Sequence, residues 1–92
     1  MAVLKENEVR DALRDLVGWK FAEKAIRRDY EFKDFLEAMA FVNKVAAKAE
    51  AANHHPDIDI RYNKVVLALT SHDSGGVTQR DIKMAKQISE LK

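Results

Sequence analysis

"DIDIRYNKVVLALTSH", residues 57–72, is the stretch that decides the fold. Ile58, Ile60 and Tyr62 alternate with Asp59 and Arg61, the two-residue period of a half-buried strand. Val65 to His72 follows as a second run rich in β-formers. Asn63-Lys64 supplies the tight turn between the two runs, so the segment reads as a hairpin. An earlier stretch, "WKFAEKAIRRDYEF" at residues 19–32, has the same character. Trp19 and Phe21 alternate with polar neighbours, and Ile26, Tyr30 and Phe32 share one parity interrupted by Arg28. Two strands joined near Glu23 and Lys24 are expected there.

Between and around the hairpins the period lengthens to that of a helix. From Lys5 to Val17, apolar residues at Val9, Ala12, Leu13 and Leu16 recur at helical spacing, and Gly18 is the stop. Asp34 with Glu37 resembles a capping box, after which Phe35, Met39, Val42, Ala46 and Ala49 line one helical face. This helix is expected to end near Asn53, because the residue before Pro56 is pushed out of the α region. Thr78 and Asp81 form a capping box, Val77 and Ile82 its hydrophobic staple, and Ile82, Ala85 and Ile88 the buried stripe of a last helix. The order is α-β-β-α-β-β-α, an α+β class. It predicts one four-stranded antiparallel sheet with three helices on one face. Residues 1–92 form a single domain.

Composition narrows the function. Sixteen Lys and Arg against fifteen Asp and Glu leave a formal charge of +1. With no long block of one sign, neither nucleic acid nor a membrane surface is an expected partner. The lack of cysteine removes disulfides, thiolate nucleophiles and Cys-containing zinc motifs. No apolar run of signal-peptide length opens the chain, and a cytoplasmic protein is expected. A chain this short buries a modest fraction of its surface, which makes association a natural source of stability.

The chain has three histidines: His54, His55 and His72. The first two stand at a helix exit, and the third ends the last strand before "DSGG". The 57–72 hairpin brings these segments side by side, so the three histidines are expected to line one cleft, with Glu50 one helical turn before His54. An imidazole with an ordinary pKa of about 6.5 gives or takes a proton near neutrality, which suits proton transfer. For His54 and His55 alone, favourable placement at a helix terminus is the simpler account. For Asp81 that simpler account is helix capping, for Tyr62 sheet packing, and for Glu50 a solvated helix position. Three histidines with Glu50, Asp57 or Asp73 would make a metal site, but adjacent histidines before a proline lack the i, i+4 spacing of a helical zinc motif. No metal is expected. Ser71 and Ser74 lack a nucleophile elbow, and Gly75-Gly76 reads as a turn.

Glu50-x-x-x-His54-His55-Pro56, then Tyr62, His72 and Asp81, with "YNKV", "SHDSGG" and "TQRDI", resembles the signature of the pterin-4a-carbinolamine dehydratases over essentially the whole chain. The resemblance implies dehydration of a 4a-hydroxytetrahydropterin to a quinonoid dihydropterin, with no cofactor. It implies that His54, His55 and His72 are catalytic, with His54 and His72 the acid and base candidates and His55 binding and polarising the substrate or serving as a further base. Glu50 would tune His54, and the main chain around Pro56, Ser71, His72 and Asp73 would contact the pterin. Tyr62 and Asp81 would be secondary. It also implies a homodimer or homotetramer. The chain departs from the family at Ile58, where members often carry an aromatic, and at Asn53, where they often carry an acid. A non-enzymatic protein-interaction module, like the dimerisation cofactors some members form, is the alternative.

Overall fold

The computed structural model describes residues 2–92. Its elements are α1 (Glu6–Leu13), β1 (Lys20–Ala22), β2 (Ala25–Glu31), α2 (Phe35–Ala52), β3 (Asp57–Arg61), β4 (Lys64–Leu69) and α3 (Gln79–Ser89), in the expected order. The strands form one antiparallel sheet ordered β1-β2-β4-β3. Ile26 and Tyr30 of β2 and Val65, Leu67 and Leu69 of β4 are buried on one face with Val9 of α1, Phe41 and Val45 of α2 and Ile82 and Ile88 of α3. The opposite face carries Arg27, Asp29, Glu31 and Lys64, all exposed. Alternation along each strand is thus what puts all three helices on one side. No helix among the described residues is long and apolar enough to cross a membrane.

Both hairpins close through two-residue loops. Ala22 pairs with Ala25, and Glu23 and Lys24 between them take φ of 54° and 65°, the left-handed pair that a primed turn needs. In the second hairpin Arg61 pairs with Lys64, so the turn is Tyr62-Asn63, one residue earlier than expected. Tyr62 takes φ of 55° and is 67% exposed. It packs on no sheet. Asn63 earns its place by bonding: its Nδ2 donates to the Phe32 carbonyl (2.8 Å), and its own carbonyl accepts from Phe32 N–H (2.8 Å).

Helix α1 stops at Leu13 rather than Val17. Beyond it Leu16 N–H bonds to Leu13 O and Trp19 N–H to Leu16 O, three-residue links that tighten the chain into turns. Leu16 and Trp19 nevertheless reach the core. Helix α2 buries Ala38, Phe41, Val42, Val45 and Ala49, a face rotated by about one residue from the expected stripe. Phe41 joins Tyr30 and Phe32 in an aromatic cluster, with ring centroids 4.6 Å and 5.1 Å away. That contact turns the helix and leaves Phe35 and Leu36 exposed (47% and 78%). Asp34 caps the helix by accepting from Glu37 N–H (2.9 Å), whereas the return bond from Glu37 reaches Lys33 N–H.

Candidate active site

The site begins with the way α2 ends. Asn53 adopts the left-handed conformation (φ 50°, ψ 42°), and His54 N–H closes back on Ala49 O (3.1 Å), which terminates the helix and turns the chain. Pro56, itself buried, follows. The turn carries His54 inward and leaves His55 outside: His54 is 9% exposed, with its ring against α3.

His54 Nε2 lies 2.5 Å from Asp81 Oδ1. Asp81 is completely buried. Its second oxygen accepts from Thr78 N–H (2.9 Å) and from the Ser71 hydroxyl (2.9 Å). Since Ser71 spends its proton on Asp81, the Thr78 hydroxyl 2.8 Å away donates to Ser71 Oγ. With Asp81 as a carboxylate every contact on it is a donor, and the His54 tautomer that matches it carries the proton on Nε2. Nδ1 is left as the nitrogen free to accept. The expected capping box at Thr78 and Asp81 is present. One carboxylate oxygen caps the helix while the other holds the histidine, a second role that capping had concealed.

Glu50 does not meet His54. Its Oε2 bonds instead to His55 Nε2 (2.5 Å), both side chains being largely exposed. One turn separates Glu50 from His54 along the chain, but the left-handed Asn53 redirects His54 away from the helix face that Glu50 occupies.

The three histidines share a neighbourhood rather than one cleft. Asp81 ties His54 and Ser71 to its two oxygens, and His55 and His72 are their immediate chain neighbours, both exposed. His72 borders a shallow depression with Glu23, Lys24, Thr70 and the glycine pair. His54 instead lines a groove between α2 and α3, about 350 Å³ in volume, with Lys48, Ala52, Arg80, Lys83 and Met84. Asp73, beside His72, bonds to Arg80 Nη2 (2.7 Å). That hydrogen bond holds its carboxyl below the ordinary carboxylate range. Ser71 is buried, and its backbone is committed within the loop: its N–H donates to Gly76 O, and its carbonyl accepts from Ser74 and Gly75. A ligand finds its main chain already engaged. Among the described residues no three His, Asp or Glu side chains are grouped to hold a metal ion.

Sequence reasoning missed Thr78 as a site residue and did not find the groove. The i, i+3, i+4 spacings of Lys48-Ala51-Ala52 and Arg80-Lys83-Met84 place each set on one helical face. Which two faces meet is a tertiary matter.

The family model described as Pterin 4 alpha carbinolamine dehydratase matches residues 2–91. A protein of Koribacter versatilis is 64% identical over 88 residues, covering 96% of this chain and 94% of that one. One from Thermomicrobium roseum is 52% identical over 91 residues, covering 99% and 98%. Both bear the name "Putative pterin-4-alpha-carbinolamine dehydratase". A crystal structure from Brucella melitensis, described as a transcriptional coactivator/pterin dehydratase, superposes with a TM-score of 0.92 at 41% identity over 97% of each chain. A pterin dehydratase-like protein described as a RuBisCO assembly factor shares the fold, with a TM-score of 0.68 at 19% identity over 80% of this chain and 88% of that one.

Proposed function

The chain belongs to the pterin 4 alpha carbinolamine dehydratase family, and from that premise we propose that it dehydrates a 4a-hydroxytetrahydropterin to a quinonoid dihydropterin and water, by histidine acid-base catalysis without a metal or organic cofactor. The observation that carries this reading is the buried His54–Asp81 hydrogen bond, backed by Ser71 and Thr78. A carboxylate on one nitrogen fixes the tautomer, orients the ring and stabilises the imidazolium once the other nitrogen takes a proton.

In the reaction the lone pair of the ring nitrogen forms a C=N bond as the C–O bond breaks. An imidazolium gives its proton to the departing hydroxyl, which leaves as water, and a neutral imidazole removes the proton from nitrogen. His54 and His72 take the acid and base roles. His55, steadied by Glu50, polarises the substrate, and the main chain at Pro56, His72 and Asp73 meets the amide-like edge of the pterin. Nothing covalent to the protein forms.

Turnover is followed by the ultraviolet absorbance change of freshly generated substrate after chelation of metals. We expect acceleration over buffer, lowered by at least roughly tenfold in each of His54→Ala, His55→Ala and His72→Ala with the fold intact. An absence of acceleration by the parent protein would sink the reading.

Phe35 and Leu36, uncovered on α2, favour association into a homodimer or homotetramer and support a second reading as a protein-interaction module. A module of that kind keeps its partner when His72 becomes alanine.

A further inference from the structure

The groove holding His54 has an unbalanced charge. Lys48 of α2 and Arg80 and Lys83 of α3 line it, and no carboxylate does. Among the described residues neither lysine is ion-paired. Arg80 is held by Asp73 through Nη2, and its Nε is buried without a partner. Asp81, which holds His54, is buried and commits its oxygens to His54, Ser71 and Thr78. Two lysines that face one concavity repel each other unless an anion lies between them. The remaining wall, with Ala51, Ala52 and Met84, is apolar.

Resting on the dehydratase reading, we propose that this groove selects pterins whose side chain ends in an anion, a phosphate ester or a carboxylate, over pterins with a neutral polyol side chain. The scale fits. A volume of about 350 Å³ falls at the lower end of the roughly 300–1,000 Å³ typical of small-molecule sites. Lys48 stands near the C-terminal end of α2, before the left-handed Asn53 carries His54 inward, and Lys83 lies two residues beyond the aspartate that holds His54. A ring whose reacting carbon is at His54 therefore extends a short substituent toward ammonium groups from both helices. Charge-assisted bonds from Lys and Arg are the stronger kind and favour oxyanions.

The test is calorimetric binding, which needs no turnover. The probes are a dihydropterin with a neutral polyol chain, the same compound as its terminal phosphate monoester, a pterin carboxylate, and inorganic phosphate alone. The full-length protein is compared with Lys48→Gln, Lys83→Gln and the double variant, each checked by thermal unfolding. We expect the phosphate ester to bind at least roughly tenfold more tightly than the neutral pterin, and the double variant to remove that preference. A preference for the carboxylate alone assigns the tail as a carboxylate, and a preference for the ester alone assigns it as a phosphate. Equal affinity for neutral and anionic pterins, or a preference that survives the double substitution, overturns the inference and leaves the dehydratase reading standing. If inorganic phosphate binds with no pterin binding, or nothing binds, both fail.

Discussion

Replacing Asp81 by asparagine tests the centre of the site with a change of one atom. Asp81 is fully buried and accepts three hydrogen bonds, from Thr78 N–H, Ser71 Oγ and His54 Nε2. The amide keeps one acceptor oxygen. Facing Thr78 and Ser71, that oxygen preserves the cap, and the NH₂ group then points at His54 Nε2, donor against donor. His54 relieves the clash by moving its proton to Nδ1, which leaves Nε2 as the acceptor. A neutral hydrogen bond thus replaces one to a charged group, a loss of about 1–1.5 kcal/mol. For a domain of this size each kcal/mol lowers Tm by roughly 4–8 °C, so a fall of roughly 4–12 °C is expected by circular dichroism. The tautomer change is read separately, from the nitrogen shifts of His54 by NMR. Turnover should fall roughly 10²–10⁴-fold, because Nδ1 no longer accepts a proton. A variant as stable as the parent, with the His54 proton still on Nε2, would show that Asp81 does not hold this histidine.

Two further outcomes follow from the packing. Gly18 has φ of +91°, and a Cβ there would stand 2.8 Å from Arg28 Nε, so Gly18→Ala should cost about 1–2 kcal/mol from the left-handed backbone alone. Its denaturant midpoint should fall at unchanged slope, and an unshifted midpoint would refute the argument. The Tyr30 hydroxyl is buried without a partner, so Tyr30→Phe should leave stability equal or higher at neutral pH. Burial raises the Tyr30 pKa above 10.0, with Arg28 pulling the other way. Above pH 10.0 the unfolded chain therefore releases this proton before the folded one, and stability declines until the raised folded pKa is passed. The phenylalanine variant should show a shallower alkaline decline, and identical pH profiles would remove this group as its cause.

The sequence by itself determined the element order, both hairpins, the α3 capping box and the family, because each rests on local periodicity, turn chemistry or motif spacing. It also placed His54, His55 and His72 at one end of the β3–β4 hairpin, since antiparallel register carries that information along the chain. What it did not determine depends on directions set by packing. The Tyr30–Phe32–Phe41 cluster rotated α2 by about a residue, which no single-helix pattern encodes. The left-handed turn at Asn53 gave Glu50 to His55 and His54 to Asp81, reversing the partner that helical spacing suggested. Tertiary structure alone brought Lys48 opposite Arg80 and Lys83, because a groove belongs to two helices at once and each helix records only its own face.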